Sequence, residues 1–382
     1  MSKDIALLKD LCDDFKKDIV DGPFGSNLKR EHFVEEGIPV IKIQNIKPFL
    51  IIPKNLSYVT SEKYEELKRH SYKQGDIVMT KLGNPLGASA IVENINDGLI
   101  VADTVRIRAE KINTKYLCYH LNSPITQDLI NSQQKGATRP RVKIANVREL
   151  PIYAPKEEQQ KQIVEILDKV FESIDKAKEN IEKNIENSKE LFQSRLNEIF
   201  SQKGEDWEEK KFKNCLKLKS GDGLTSKNMI QSGSYHVYGG NGVTGNHNNF
   251  NLEGEHIIIG RVGANCGNVR LIKEKIWLTD NAFQVSEMYV DFYKPFLVYL
   301  LNYKNLRQYA RQAAQPVVSN SSIKDVVLVY PTNATIQKQI VHELDSLKEQ
   351  TKQLEKYYQQ KLQNLEELKK SVLQKAFSGE LV

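Results

Sequence analysis

Polar and basic side chains recur in short loops in both halves of this 382-residue sequence. Arginine can read guanine through two hydrogen bonds, asparagine and glutamine can read adenine, and lysine can hold a phosphate. These residue types suit the recognition of DNA, although the surface loops of any protein are polar. The candidates in the first half are Lys29, Arg30, Lys42, Gln44, Lys81, Arg139 and Arg141, and those in the second half are Tyr238, Asn241, Arg261, Asn265 and Asn320.

Catalytic signatures are missing from the sequence. Residues 240–245 spell GNGVTG, which fits the GxGxxG spacing of a dinucleotide site, but the asparagine-rich turn after them does not predict the helix that such a site needs. A nucleotide phosphate loop, an HExxH zinc motif and the [DNS]PP[YF] sequence of amino-methyltransferases do not occur. We therefore expect a chain that is not itself an enzyme and that binds no metal or cofactor.

Cysteine usage and charge narrow the class of protein. The four cysteines are too far apart for a zinc ribbon and indicate a reducing, cytoplasmic setting. The start of the chain does not resemble a secretory signal, and no apolar run reaches the roughly 18 residues of a membrane span. Residues 1–155 carry 23 basic and 19 acidic side chains (net +4), and residues 204–335 carry 15 and 12 (net +3). Contact with a polyanion is therefore allowed but not required.

The sequence repeats itself. QKQIV occurs at residues 160–164 and again at residues 337–341, which is 177 residues later. The same offset brings Asp168 onto Asp345 and Tyr153 onto Tyr330. We interpret the repeated unit as a globular domain followed by a long polar helix.

Both long helices are predicted from apolar residues at steps of three and four, in stretches without proline or glycine. Asn184 and Lys361 interrupt the two stripes at equivalent places, where they either fix the register of a helix pair or lie in a locally exposed turn. About 42 residues would form a rod of roughly 63 Å. The residues predicted to form the seam are Ile163, Leu167, Val170, Ile174, Ile181 and Leu191 in the first helix, and Ile340, Leu344, Leu347, Leu354, Leu365 and Leu368 in the second.

A helix with a single apolar stripe must bury that stripe, and the simplest partner for each helix is the other one. An antiparallel pair would place one globular domain at each end, giving a dumbbell with a pseudo-two-fold axis. Strand-like and helix-like runs predict a mixed α/β fold for both domains. The predicted segments are a first domain at residues 1–155, a first helix at 156–203, a second domain at 204–335 and a second helix at 336–382.

Seven motifs occur in order along nearly the whole chain. Four lie in the first half and three in the second. They are DGPFGSNLKREHF (21–33), GDIVMTKLGNPLG (75–87), GATRPRV (136–142), LPIYAPKEEQQKQIVEIL (150–167), HVYGGNGVTG (236–245), IIIGRVGANCGNV (257–269) and LKKSVLQKAFSGEL (368–381).

With these motifs the chain resembles the DNA specificity (S) subunit of type I restriction-modification systems. The resemblance implies that residues 1–155 and 204–335 are target recognition domains, each reading one half of a bipartite site in double-stranded DNA. It implies that the helices act as a spacer and dock two methyltransferase subunits. Those partners would carry S-adenosylmethionine and methylate adenine at N6, and two ATP-dependent restriction subunits could join them. No membrane partner is implied.

An asymmetric target is expected, because Arg-Pro-Arg at residues 139–141 becomes Gln-Pro-Val at residues 315–317. Two alternatives stay open. One is the recognition subunit of another methyltransferase-linked phage-defence system, and the other is a coiled-coil tether that does not bind DNA. A DNA affinity that falls steeply with added salt would exclude the tether.

Overall fold

The protein divides into two compact units whose boundaries fall inside its two longest helices. The structure is a computed structural model that describes residues 4–134, 140–202, 204–311 and 315–381. Unit 1 comprises Met1–Ile181 and Gln360–Val382, and unit 2 comprises Glu182–Gln359. The predicted segments follow secondary structure, whereas each compact unit combines one α/β domain with part of both long helices.

Unit 1 contains twelve short strands and five short helices, and it shares the long helix α6 with unit 2. The strands are β1 (Ile5–Leu7), β2 (Ile19–Asp21), β3 (Ile38–Ile41), β4 (Ile46–Lys47), β5 (Leu50–Ile51), β6 (Ser57–Val59), β7 (Ser71–Tyr72), β8 (Ile77–Thr80), β9 (Ser89–Ile91), β10 (Gly98–Ile100), β11 (Thr104–Ile107) and β12 (Pro151–Tyr153). The helices are α1 (Phe15–Asp18), α2 (Ser61–Glu66), α3 (Thr114–Leu121), α4 (Pro124–Ser132), α5 (Ile144–Arg148) and α6 (Glu157–Ser201). These counts refer to the described residues alone.

Unit 2 is built in the same way from the remaining elements. Its strands are β13 (Trp207–Lys211), β14 (Leu216–Ser220), β15 (Tyr235–Gly239), β16 (Gly242–His247), β17 (His256–Gly260), β18 (Val269–Ile272), β19 (Ile276–Leu278), β20 (Ala282–Met288) and β21 (Val327–Pro331). Its helices are α7 (Phe212–Cys215), α8 (Lys294–Tyr303) and α9 (Asn320–Ile323), and α10 (Ala334–Ser378) runs through both units. Short 3-10 turns lie at Leu8–Leu11, Arg30–His32, Ile43–Asn45 and Lys68–His70 in unit 1, and at Ser226–Asn228 and Leu306–Tyr309 in unit 2.

The sheets of the two units correspond. Unit 1 has an antiparallel sheet in the order β2-β11-β8-β9 and a mixed sheet in the order β6-β3-β10-β7. Unit 2 has β14-β20-β17-β18 and β16-β15-β19. In each mixed sheet one pair is parallel, namely β3 with β10 and β15 with β19. The mixed α/β fold predicted from the strand-like runs is therefore confirmed in both units.

A buried glutamine at the start of each long helix joins that helix to its domain. The side-chain oxygen of Gln160 accepts from the backbone N–H of Asn113 at 2.9 Å, and its nitrogen donates to the Pro155 carbonyl at 2.7 Å. Gln337 makes the same pair of bonds, with the Tyr293 N–H at 2.8 Å and the Pro331 carbonyl at 2.9 Å. The offset of 177 residues seen in the sequence thus relates the same joint in both units.

A second contact repeats one helical turn or more further along. The Tyr119 hydroxyl donates to the Asp168 carboxylate at 2.6 Å, and the Tyr299 hydroxyl donates to that of Asp345 at the same distance. Strand pairing also places Tyr153 of β12 and Tyr330 of β21 in equivalent positions, opposite Ile5 and Glu208.

Within each unit the segments of α6 and α10 run antiparallel, as predicted. In unit 1, Asp175 pairs with Lys369 at 3.8 Å, and Lys178, three residues later, pairs with Glu366, three residues earlier. In unit 2 the order is the same: Lys189 pairs with Glu355 at 3.9 Å, and Arg195 pairs with Glu343.

The predicted seam is correct at the helix starts and wrong towards their middle. Five seam residues are buried and four are half-buried, but three are exposed. The buried ones are Ile163, Leu167, Ile174, Ile340 and Leu344, the half-buried ones are Val170, Ile181, Leu347 and Leu365, and the exposed ones are Leu191 (57% exposed), Leu354 (43%) and Leu368 (47%).

The error arises because the buried stripe moves by one position along each helix. In α6 it continues from Ile181 through Ile185, Ser188 and Phe192, so that Leu191 points about 100° away from it. In α10 it continues through Thr351, Glu355 and Tyr358, and later through Lys369, which leaves Leu354 and Leu368 outside. Asn184 and Lys361 are both exposed, as the exposed-turn alternative requires.

No helix among the described residues is both long enough and apolar enough to cross a bilayer.

The corrected stripe predicts different costs for two leucines of α10 in the same unit. Leu344 is fully buried and Leu354 is 43% exposed. We expect Leu344→Ala to lower the free energy of unfolding by about 3 kcal/mol, because it leaves a cavity in the core. Leu354→Ala should change it by at most about 0.5 kcal/mol. Urea unfolding followed by circular dichroism measures both, and equal losses would contradict the corrected stripe.

Candidate nucleic-acid interface

The basic loops of unit 1 are gathered at one sheet edge by backbone hydrogen bonds. The N–H of Lys81, just after β8, donates to the Asp103 carbonyl at 2.9 Å. The Val142 N–H donates to the Lys81 carbonyl at 3.1 Å, and the Gly83 N–H donates to that of Pro140 at 3.0 Å. Three segments that are distant in the sequence therefore form one surface, which we call edge 1.

The charges of edge 1 are paired within the protein. Lys81 is buried, and its ammonium forms an ion pair with Asp21 at the end of β2. Arg141 is exposed, and its guanidinium lies 3.0 Å from the carboxylate of Asp103. Two basic and two acidic groups thus balance, and Lys81 has no free charge for a phosphate in this conformation.

Lys42 reaches the same edge by way of the parallel pair β3–β10. Ile41 lies opposite Ile100, so Lys42 follows β3 beside the residues that lead to Asp103. Its ammonium lies 4.1 Å from the centre of the Phe33 ring, and burial lowers the pKa of Lys42. The next candidate, Gln44, is exposed in a short turn.

The remaining candidates of the first half lie on the surface or outside the described residues. Lys29 and Arg30 are exposed, and the Lys29 ammonium lies 3.6 Å from the carboxylate of Glu31. Arg139 lies outside the residues that the structure describes.

Unit 2 forms a corresponding surface, edge 2, with the same backbone bonds. The Arg261 N–H donates to the Asn281 carbonyl at 2.9 Å, and the Val318 N–H donates to the Arg261 carbonyl at 2.8 Å. The Gly263 N–H donates to the Pro316 carbonyl at 3.1 Å. Arg261 is therefore the structural equivalent of Lys81, and the alignment of Arg-Pro-Arg with Gln-Pro-Val is confirmed.

Three further candidates of the second half lie at or beside edge 2. The Asn241 side-chain oxygen accepts from the Asn265 N–H at 3.0 Å, which joins the two loops. The Tyr238 carbonyl accepts from the Thr279 N–H at 2.9 Å, and the Tyr238 hydroxyl donates to Glu274 at 3.2 Å. Burial and this hydrogen bond raise the pKa of Tyr238.

Asn320 is exposed and lines a separate groove of about 430 Å³ on unit 2. Lys213, Lys217 and Lys324 also line this groove. Lys213 lies 3.2 Å from the carboxylate of Asp325, and Lys217 lies 2.6 Å from that of Glu287. The sequence did not single out these lysines, because they come from three separate segments and each alone resembles an ordinary solvated side chain.

The glycine-rich residues 240–245 belong to a β-hairpin. Gly239 of β15 lies opposite Gly242 of β16, and β16 continues to His247. A strand follows these glycines instead of the helix that a dinucleotide site requires. Among the described residues, no cluster of three or more His, Cys, Asp or Glu side chains could hold a metal ion.

Comparison with known proteins identifies one family in both units. Residues 22–187 and 204–366 each match the family model described as the type I restriction modification DNA specificity domain. The EcoprrI type I restriction enzyme specificity subunit of Escherichia coli is 34% identical over 190 residues, which are 47% of this chain and 46% of that protein. The MjaVIII specificity subunit of Methanocaldococcus jannaschii is 27% identical over 160 residues, or 40% and 38%. The chain therefore aligns with less than half the length of each curated relative.

Two solved structures share the fold along nearly the whole chain. A chain from a study of complex assembly and conformational transition of the type I R-M system has a TM-score of 0.76 at 16% identity, covering 99% of this chain and 98% of its own. The HsdS subunit of Thermoanaerobacter tengcongensis has a TM-score of 0.61 at 17% identity, covering 99% and 97%. At such low identity the likeness concerns the fold.

The two ion pairs of edge 1 should contribute differently to stability. Asp21→Asn leaves the buried ammonium of Lys81 without a counter-charge, and we expect it to cost about 3 kcal/mol. Asp103→Asn removes the partner of the exposed Arg141 and should cost at most about 1 kcal/mol. Urea unfolding midpoints measure both. Adding Lys81→Met to Asp21→Asn should recover most of the loss, and equal midpoints for the two single variants would contradict the assignment.

Proposed function

The chain belongs to the type I restriction-modification DNA specificity family, and we propose that it selects a bipartite, asymmetric DNA target for an adenine methyltransferase complex. Unit 1 reads one half-site and unit 2 reads the other. The chain carries no catalytic step itself. Chromosomal DNA as the substrate would place this activity in the cytoplasm.

The observation that carries this proposal is the repetition of one backbone frame with different side chains. Lys81 and Arg261 occupy the same position, and so do Arg141 and Val317, which form equivalent bridges to Leu82 and Val262. The same frame presents two edges, as a reader of two half-sites needs. Different side chains on the frame favour different base sequences.

The groove on unit 2 supports contact with the DNA backbone. Lys213, Lys217 and Lys324 line it together with Asn320. Lysines hold phosphates and fix the register of a protein on its duplex without reading bases. Asn320 would therefore serve positioning, and the bases of the second half-site would be read at edge 2.

The long helices are the proposed dock for two methyltransferase subunits, and two restriction subunits could join this complex. In unit 1, Val170, Ile174, Leu365 and Leu368 line an apolar groove of about 350 Å³ between α6 and α10. Exposed apolar surface of this kind suits a protein partner. S-adenosylmethionine would be bound by the methyltransferase subunits and ATP by the restriction subunits.

Deletion of the gene tests the proposal. We expect one asymmetric bipartite motif to lose its adenine methylation in the host, as read by single-molecule sequencing of the genome. Complementation with the wild-type gene should restore it. An unchanged methylome would contradict the proposal, and so would the loss of a single continuous motif.

The docking role predicts an effect for Leu368→Asp, which places a charge in the apolar groove. Because Leu368 is 47% exposed, we expect the unfolding midpoint to stay within error while methylation of the motif falls at least about tenfold, the equivalent of 1.4 kcal/mol of lost partner binding. Gln374→Asp adds the same charge at another exposed position of α10 and should leave methylation unchanged. Equal methylation in both variants would contradict the dock.

A further inference from the structure

Arg261 and Lys81 are equivalent in backbone position but differ in their charge partners. At edge 1 the ammonium of Lys81 is buried in an ion pair with Asp21. The equivalent of Asp21 follows from two matching bonds: Gly22 N–H donates to the Thr104 carbonyl at 3.2 Å, and Gly221 N–H donates to that of Ala282 at 3.1 Å. Ser220, which precedes Gly221, therefore stands where unit 1 has Asp21.

The second acid of edge 1 is also replaced. Asp103, the partner of Arg141, corresponds to Asn281, because their carbonyls accept the equivalent bonds from Lys81 and Arg261. Across the described residues no carboxylate pairs with Arg261. Edge 2 thus keeps one cation that edge 1 neutralises.

The guanidinium of Arg261 is held in place without being neutralised. Its Nη1 donates to the backbone carbonyl of Asp280 at 3.3 Å, and its centre lies 5.3 Å from that of the Phe283 ring. Its Nε is buried, and Nη2 has no hydrogen-bond partner within the described part of the chain. A planar fork that is already positioned loses little freedom when it forms two parallel hydrogen bonds.

We infer that Arg261 reads a guanine in the half-site bound by unit 2, while Lys81 makes no base contact in unit 1. Guanine offers O6 and N7 in the major groove, and arginine meets both. The inference rests on the proposed function, because it assigns a base to one of the two half-sites. A phosphate could accept the same fork, so the test must separate these two acceptors.

Two variants of unit 2 remove the guanidinium charge in different ways. Arg261→Gln deletes it. Ser220→Asp keeps the arginine but supplies the carboxylate that neutralises the equivalent lysine in unit 1. Ser232→Asp is the matched control: it adds the same charge at an exposed position before β15, whereas edge 2 lies after the other end of that strand.

The experiment measures binding of the full chain, purified with its methyltransferase subunits, to duplexes that carry the methylated motif. Each guanine of the motif is replaced in turn by the other three bases. For wild-type protein and Ser232→Asp we expect one guanine, in one half-site, to be preferred by about tenfold or more. For Arg261→Gln and Ser220→Asp that preference should disappear, while preferences in the other half-site remain.

Three outcomes would overturn the inference. If Arg261→Gln weakens all duplexes equally and lowers the slope of log affinity against log salt by about 0.9, Arg261 contacts a phosphate. If Ser220→Asp keeps the full preference, the missing acid is irrelevant. If the variants behave like wild type, Arg261 makes no contact. Failure of the proposed function would look different, because then the wild-type complex itself would prefer no motif.

Discussion

One buried glutamine side chain at the start of each long helix determines how that helix leaves its domain. Gln160 and Gln337 each use the amide oxygen and nitrogen to bind two backbone groups of the preceding domain. A buried amide that loses a partner costs about 1–3 kcal/mol, so both bonds constrain the first turn of the helix. The edges that bear the candidate DNA contacts are built on these domains and depend on the joint for their orientation relative to the helix.

The backbone frame and the recognition side chains are separate features of each unit. The frame consists of main-chain hydrogen bonds between loops, so the side chains at Lys81 and Arg261, or at Arg141 and Val317, can differ without disturbing it. Divergence is therefore cheap at the edges and costly at the joint. This division explains how one fold can serve two half-sites of different sequence.

The sequence predicted the features that depend on local pattern. The repeat, the α/β class and the two long helices follow from periodicity and identity alone, and the structure contains all of them. The seam was wrong at Leu191, Leu354 and Leu368 because a strict heptad drifts against 3.6 residues per turn. The neutralisation of Lys81 could not be predicted, since Asp21 is 60 residues away, and the lysine groove of unit 2 gathers equally distant segments.

The central claim is that two units of one chain read two different half-sites. Hydroxyl-radical footprinting of the complex on a duplex that carries the methylated motif tests it most directly, because it records protection along the DNA independently of methylation. The account predicts two protected blocks of different sequence, separated by a spacer whose bases do not matter. A single protected block, or two blocks with the same sequence, would contradict it.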